Sequence, residues 1–272
     1  MPAACPSLDL YAALQCVMRR GLKRVVWIGD SVSGQLARSA RCEHVGHSVK
    51  DSAIDNVPLD NDGMLSWNGT KRQQYRAPFW LVDGVELVLF GNEAGQYAEE
   101  KADALRAAHA QGLLQAPAVF MVNLGLFYLL CDATERSCDR KPMLTKYQRQ
   151  LSVLFATLCE TVRGPIVWRD TTAVHSHGGG NRSVLERLTT GELRRKFARF
   201  DVQGVRELND AAEVVLRRFA PRVQRMPMVF EATAQRPDGV LPGDMRHYGG
   251  EVLHELLGLH YECWCGELCA IK

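Results

Sequence analysis

The chain has 272 residues, of which 46% are hydrophobic and 24% are charged. Its 33 basic and 31 acidic side chains leave a net charge of +2, so no bulk electrostatic field favours nucleic acid or an acidic membrane surface. No stretch reaches the roughly 20 apolar residues that a membrane-spanning helix needs. These properties argue against a nucleic-acid partner and against a direct membrane span.

Apolar runs alternate with helical patterns along the chain. Five continuous apolar runs predict strands over residues 25–29, 85–91, 118–125, 165–170 and 227–232. Apolar residues at helical spacing, or a composition rich in Ala, Glu and Lys, predict helices over 98–114, 145–162 and 205–219. Residues 43–84 are the least regular part and are expected to form a long insertion over one edge. Strands that alternate with helices predict an α/β fold, a three-layer α/β/α sandwich with a mainly parallel five-stranded sheet, in a single domain over 1–272.

The first predicted strand ends in Gly29-Asp30-Ser31, and a helical pattern follows. Glycine, aspartate and serine are common turn and cap residues, so the triplet can be read simply as the end of a strand. A serine at a strand-to-helix turn is also where several hydrolase folds hold their nucleophile. Ser31 is therefore the candidate nucleophile, while Asp30 is expected mainly to stabilise the turn.

An aspartate and a histidine lie three residues apart near the C-terminus, as Asp244 and His247. A serine hydroxyl needs a neighbouring base to take its proton, and an imidazole titrates near neutrality. A carboxylate beside the imidazole holds it in the required tautomer. We therefore predict a catalytic set of Ser31, Asp244 and His247.

Further polar groups follow the other predicted strands. Asn123 and Gly125 follow the third strand, and the Asn123 amide together with the backbone N–H of Ser31 is expected to stabilise an oxyanion. Arg169 and His175 follow the fourth strand and are candidate binding residues. His175 and His177 are alternative bases, but neither has a carboxylate at a fixed short spacing. The His-x-His pair lacks a further ligand at a usual spacing, so we expect no metal site and no cofactor.

The nine cysteines leave the compartment open. Cys131 and Cys138 flank a polar loop and could close a small disulfide, whereas the three C-terminal cysteines (263, 265 and 269) allow at most one pair among themselves. Glycosylation sequons begin at Asn68 and Asn181, and the N-terminal stretch lacks the pattern of a secretory signal. On balance the cysteines favour the secretory pathway, in the Golgi lumen or outside the cell.

The order of these motifs resembles the GDSL/SGNH hydrolase superfamily, and more closely its PC-esterase branch. That branch includes the trichome-birefringence-like polysaccharide O-acetyltransferases of plants and the capsule O-acetylation proteins of fungi. WIGDSVSGQLARS resembles its first block, VNLGLFY its Asn-x-Gly-aromatic block, WRDTTAVHSHGG its Trp-Arg-Thr stretch, and DMRHYGGEVLHELLGL its final Asp-x-x-His block with the following helix. The resemblance covers about residues 24–260 and implies an SGNH/flavodoxin-like sandwich. The superfamily's second oxyanion glycine could be Gly63, Gly69 or Gly91.

The resemblance implies serine-dependent ester chemistry through an acyl-enzyme, which removes or transfers O-acetyl groups on a carbohydrate. The expected partner is a small-molecule or glycan ester. The alternative is a catalytically inactive relative that acts as a carbohydrate-binding module. Trp67, Tyr75 and Trp80 could stack on a sugar or form a small core of their own.

Overall fold

The computed structural model describes residues 9–44, 63–68, 74–91, 95–131, 138–175, 191–226, 228–241 and 244–266. Its strands are β1 (Arg24–Ile28), β2 (Gly63–Asn68), β3 (Gln74–Val82), β4 (Val85–Phe90), β5 (Ala118–Val122), β6 (Ile166–Arg169) and β7 (Val223–Met226). They form one sheet in the order β2-β3-β4-β1-β5-β6-β7. Strands β4, β1, β5, β6 and β7 are parallel, while β2 and β3 add two antiparallel strands at one edge.

The parallel strands confirm the predicted mainly parallel sheet. Strand β1 lies between β4 and β5, with Val26 opposite Val88 on one side and Phe120 on the other. The side chains from Val25 to Ile28 are all buried, as expected for a central strand with helices on both faces. Because the strands are parallel, the segments that follow β1, β4, β5 and β6 meet at one edge of the sheet.

The helices are α1 (Leu10–Arg19), α2 (Ser31–His44), α3 (Ala98–Ala110), α4 (Arg140–Thr161), α5 (Gly191–Lys196), α6 (Val202–Leu216), α7 (Met228–Ala234) and α8 (Gly250–Cys265). Helices α3, α4 and α6 pack together in one layer, and α1, α2, α7 and α8 pack together in another. Phe155 of α4 packs edge-on against Trp168 of β6, and Trp264 of α8 against Trp27 of β1, both at 5.6 Å between ring centroids. The fold is therefore the predicted α/β/α sandwich. Within the described ranges, no helix is both long and apolar enough to cross a membrane.

Part of the region predicted as an irregular insertion is a regular extension of the sheet. Strands β3 and β4 are joined by Asp83 and Gly84, whose φ angles of 48° and 80° fit the tight hairpin turn that Asp-Gly favours. Tyr75 and Trp80 are buried, so they belong to the core and do not offer a stacking surface. The side chain of Trp67 lies outside the described residues.

The fifth predicted strand, over 227–232, is wrong. The strand beside β6 is Val223–Met226, and residues Met228–Ala234 form helix α7. The buried residues of α7, Val229, Phe230 and Thr233, follow helical spacing. A short apolar run fits a strand or a buried helix equally well, and periodicity over so few residues cannot distinguish them.

Two disulfides lie within the described residues. Cys131 and Cys138 are paired across their loop, with Cα atoms 5.6 Å apart, as the sequence allowed. Cys265 pairs with Cys16, 249 residues away, and so fastens α8 to α1 rather than to another C-terminal cysteine. Cys269 and the sequon at Asn181 lie outside the described residues.

Candidate active site

Ser31 is the first residue of α2 and follows β1 through a tight turn. The Asp30 carboxylate accepts the N–H of Val32 at 3.0 Å, and its backbone carbonyl accepts the N–H of Gly34 at 3.0 Å. Asp30 therefore caps the helix and stabilises the turn, as predicted. A Cβ atom at Gly29 would lie 2.7 Å from the Asn123 carbonyl and closer still to Ser33, so the turn has room only for glycine.

Asp244 and His247 form a hydrogen-bonded pair on the segment 244–248, here called the histidine loop. The Nδ1 of His247 lies 2.7 Å from Oδ2 of Asp244. The other carboxylate oxygen accepts the N–H groups of Met245, Arg246 and His247 at 2.6, 2.8 and 3.2 Å. With the carboxylate as acceptor, Nδ1 carries the proton and Nε2 is left as the basic nitrogen.

The same contacts keep the Asp244 carboxyl ionised. Burial on its own raises the pKa of Asp244. The hydrogen bond and charge of His247, together with the backbone N–H groups of Arg246 and His247, outweigh burial and hold this pKa well below its usual range. Asp244 is therefore a negative charge fixed beside the imidazole, which is the electrostatic arrangement that stabilises an imidazolium.

The histidine loop is attached to two neighbouring elements. The side-chain amide of Gln35 in α2 donates to the carbonyl of Tyr248 at 2.6 Å and accepts its N–H at 3.3 Å. On the other side, the Tyr248 hydroxyl donates to the carbonyl of Ala173 at 2.8 Å, and the N–H of His175 donates to the carbonyl of Met245 at 2.8 Å. These contacts dock the loop against the helix that begins at Ser31.

Ser31 and His247 are not themselves joined by a hydrogen bond among the residues that the structure describes. Ser31 is half-buried, and the His247 side chain is 9% exposed. In unliganded hydrolases the bond between nucleophile and base is commonly long and tightens when the substrate is bound. Their roles as nucleophile and base therefore stay predictions that the surrounding geometry favours.

The Asn123 amide is engaged within the protein. It is buried at the end of β5, and its Nδ2 donates to the carbonyl of Arg169 and to the hydroxyl of Thr171, both at 3.0 Å. Asn123 thus ties the end of β5 to the end of β6. It can serve as an oxyanion donor only by releasing or sharing one of these bonds. Gly125 is buried, and a Cβ atom there would lie 2.7 Å from the Thr171 hydroxyl, so its place is explained by close packing.

The candidates for the second oxyanion glycine lie in different places. Gly63 begins the edge strand β2, which is separated from β1 by two strands, and Gly69 lies outside the described residues. Gly91 directly follows β4, next to the turn after β1, where the N–H of Gly29 donates to the carbonyl of Phe90 at 3.2 Å. The buried Lys101 ammonium donates to the carbonyls of Phe90 and Gly91 and so fixes this turn. Of the described candidates, Gly91 is therefore the one that lies beside the turn after β1.

Arg169 and His175 are buried rather than presented to a ligand. The Arg169 guanidinium is 1% exposed and donates to the Ser33 hydroxyl at 3.2 Å, beneath the Ser31 turn. Burial lowers the pKa of Arg169 to about 10, while the charges of Asp30 and Asp170 oppose this shift. The Nε2 of His175 bonds to the carbonyl of Thr233 at 2.9 Å. Both side chains are thus bonded within the protein, their roles as binding residues stay predictions, and His177 lies outside the described residues.

A further buried histidine, His260, lies close enough to Arg169 to feel its charge. His260 of α8 is fully buried and its Nδ1 donates to the carbonyl of Leu256 at 2.7 Å. Burial, followed by the positive charge of Arg169, lowers the pKa of His260 to about 3. Since the unfolded chain takes up this proton near pH 6.5 and the folded chain does not, His260 makes the protein less stable as the pH falls from about 6.5 towards 3.

We expect His260→Gln to flatten this dependence. The free energy of unfolding of the wild-type protein should fall relative to that of the variant by up to about 1.4 kcal/mol per pH unit between about pH 6 and 4. Urea unfolding at a series of pH values measures the difference, and other titrating groups contribute equally to both proteins. Parallel curves for the two proteins would show that His260 accepts a proton in the folded state.

No cluster of three or more His, Cys, Asp and Glu side chains suited to a metal ion is present in the part of the chain that the structure describes.

Arg225 of β7 binds the Asp170 carboxylate through two hydrogen bonds, in which Nε and Nη2 donate at 2.9 and 2.7 Å. The Asp170 carboxylate is therefore held by Arg225.

No protein-family model matches the sequence, and no curated protein matches it either. Among solved structures, a gut microbial diltiazem-metabolizing enzyme is similar with a TM-score of 0.50 and 11% identity; the match covers 89% of this chain and 47% of that chain. The chain thus spans about half the length of that enzyme. Axe2, an acetylxylan esterase from Geobacillus stearothermophilus, has a TM-score of 0.43 and 13% identity over 92% of this chain and 97% of its own.

At 11% identity, the likeness to the diltiazem-metabolizing enzyme shows a shared fold and not a shared activity. The chain has the α/β/α fold that its resemblance to the SGNH hydrolases implies, and its assignment to the PC-esterase branch stays a prediction. The fold places a buried histidine, oriented by Asp244, on a loop beside the helix that follows β1.

Two residues that shape this site, Gln35 and Tyr248, were not among those predicted from the sequence. Gln35 lies four positions after Ser31, one helical turn along α2. A glutamine surrounded by small and apolar residues, on the same helical face as a candidate nucleophile, was the available signal.

Proposed function

We propose that the protein is a serine-dependent esterase or O-acyltransferase that works through an acyl-enzyme on Ser31. The observation that carries this proposal is the Asp244–His247 pair, whose carboxylate accepts three backbone N–H groups and the imidazole Nδ1–H. A carboxylate held by so many donors orients one imidazole tautomer, and the docking of the histidine loop on α2 favours Ser31 as the group that this imidazole serves.

In the proposed reaction, Nε2 of His247 takes the Ser31 hydroxyl proton as Oγ attacks the ester carbonyl. The negative oxygen of the tetrahedral intermediate would be stabilised by the backbone N–H of Ser31, at the positive end of α2, and by that of Gly91. Collapse breaks the bond to the leaving alkoxide, which receives the proton from His247. Water or a second hydroxyl then attacks the acyl-Ser31 ester while Nε2 of His247 takes its proton. His247 returns that proton to Oγ as the acyl–Oγ bond breaks, which frees Ser31.

For the substrate class we propose O-acetyl groups on a carbohydrate, because the strongest motif resemblance is to enzymes that handle them. Hydrolysis and transfer share the acyl-enzyme and differ only in the group that attacks it, so the residues favour neither. The two disulfides support a place in the secretory pathway or outside the cell, since disulfides persist in oxidising compartments.

A panel of aryl acetates and acetylated glycans, assayed with and without a free polysaccharide acceptor, tests this proposal. We expect release of acetate from at least one acetylated glycan, and label transfer to the acceptor if the protein is a transferase. Binding of glycans without turnover of any ester, and without labelling by a fluorophosphonate, would instead support the inactive binding module.

A further inference from the structure

A side-chain amide joins the helix of the candidate nucleophile to the loop of the candidate base. Gln35 is 1% exposed, and both ends of its amide are used: Nε2 donates to the carbonyl of Tyr248 at 2.6 Å, and Oε1 accepts the N–H of Tyr248 at 3.3 Å. The pair links positions 213 residues apart in the chain. We propose that Gln35 is a positioning residue that sets the place of His247 relative to Ser31. This inference rests on the proposed function.

The hydrogen bonds between Gln35 and Tyr248 connect the helix that carries Ser31 to the loop that carries His247. Gln35 lies one turn after Ser31 on the same face of α2, so its backbone is rigidly connected to that of the nucleophile. Tyr248 directly follows His247 in the histidine loop. A displacement of Tyr248 along its bond to Gln35 therefore moves the imidazole relative to the Ser31 hydroxyl, while the short-range bond between His247 and Asp244 can persist.

The chemistry of an amide suits this contact. Pairing with both the carbonyl and the N–H of one residue requires a donor and an acceptor side by side, which an amide offers and a carboxylate does not. An ionised glutamate would set a negative oxygen against the Tyr248 carbonyl, and leucine would leave both backbone groups buried without these bonds. Either change is expected to shift the histidine loop.

Because Gln35 is buried, it reaches no substrate and should affect turnover rather than binding. A displacement of about 1 Å between reacting groups costs a reaction about 10²-fold in rate. We expect Gln35→Leu and Gln35→Glu to lower kcat for an aryl acetate by about 10- to 100-fold, with KM changed by less than about twofold. The rate of Ser31 labelling by a fluorophosphonate should fall in parallel.

The pH profile of Gln35→Glu distinguishes positioning from a general loss of stability. When the introduced carboxyl is protonated, it again offers one donor and one acceptor in the shape of the amide. The ratio of variant to wild-type kcat should therefore rise as the pH falls, whereas the ratio for Gln35→Leu should stay flat. Using the ratio to wild-type kcat removes any pH dependence that both proteins share.

Gln150→Glu is the matched control. Gln150 of α4 is also buried and also uses both ends of its amide, accepting from the Tyr128 hydroxyl at 2.6 Å and donating to Glu99 at 2.9 Å, but it lies in the other helical layer. We expect it to lower the free energy of unfolding while leaving kcat unchanged at temperatures where the variant is folded.

Wild-type kcat in folded Gln35→Leu, or an equal loss of kcat in Gln150→Glu, would overturn the positioning role. A flat kcat ratio for Gln35→Glu across the pH range would also overturn it. These outcomes are separate from failure of the proposed function, which Ser31→Ala decides: if that variant keeps wild-type activity, Ser31 is not the nucleophile.

Discussion

Replacing Ser31 by alanine is expected to reduce ester turnover on the order of 10⁴-fold or more and to leave the fold intact. The hydroxyl is the proposed attacking group, so its removal takes away the atom that would carry the acyl group. A small-residue change at a half-exposed turn should alter the free energy of unfolding by only about 0.5 kcal/mol. Steady-state kinetics with an aryl acetate and thermal unfolding measure the two effects.

Loss of the base should be as damaging as loss of the nucleophile, because the members of such a set fail as a unit. We expect His247→Ala to match Ser31→Ala in residual activity, and Asp244→Asn to lose somewhat less. Ser152→Ala on α4 and His109→Ala at the end of α3 are controls for the same chemical changes away from the site. Near wild-type activity in His247→Ala would show that another group takes the proton.

The second large effect is expected on stability, from the ion pair behind the site. The Asp170 carboxylate is 2% exposed, and two nitrogens of Arg225 donate to it. Burial raises the pKa of Asp170, and the hydrogen bonds and charge of Arg225 oppose this shift. Removing Arg225 leaves the buried carboxylate without the cation that is hydrogen-bonded to it, and only the charge of Arg169 remains nearby. We therefore expect Arg225→Met to lower the free energy of unfolding by about 3–5 kcal/mol.

Arg217→Met is the matched control for that measurement. Arg217 also pairs with a carboxylate, Glu213, but its side chain is 74% exposed, so its loss should cost at most about 1 kcal/mol. The cost of Arg225→Met should shrink at acid pH, where protonation of Asp170 removes the unpaired charge. Equal and small costs for both variants in urea unfolding would contradict the account of a buried ion pair.

The order of elements could be predicted because strand and helix patterns alternate clearly. Four of the five predicted strands are confirmed to within a few residues, and the helices after β4, β5 and β6 lie where expected, with shifted ends. The fifth strand was misplaced because the run at 227–232 is too short to show a period. The hairpin between β3 and β4 was missed although Asp83-Gly84 between two apolar runs is a strong turn signal.

The residues of the candidate site were easier to predict than the directions and hydrogen bonds of their side chains. Spacing alone was enough to pair Asp244 with His247, because both lie on one short loop. The direction of the Arg169 side chain could not be predicted from the sequence, because its hydrogen bond to the Ser33 hydroxyl forms only when the sheet is assembled. Likewise, the bonds of Asn123 to Arg169 and Thr171 depend on the contact between β5 and β6, which no local pattern encodes.

The proposed mechanism requires a covalent acyl group at Ser31. The enzyme can be mixed with an aryl acetate, quenched in acid during the first turnover, digested with trypsin and analysed by fragment mass spectrometry. The peptide after Arg24 carries both Ser31 and Ser33, and fragmentation separates the two positions. We predict an acetyl group on Ser31 that accumulates in the wild-type protein and is absent from Ser31→Ala. Turnover without any acetylated peptide, or an acetyl group on Ser33 or on a residue outside this peptide, would contradict the proposed mechanism.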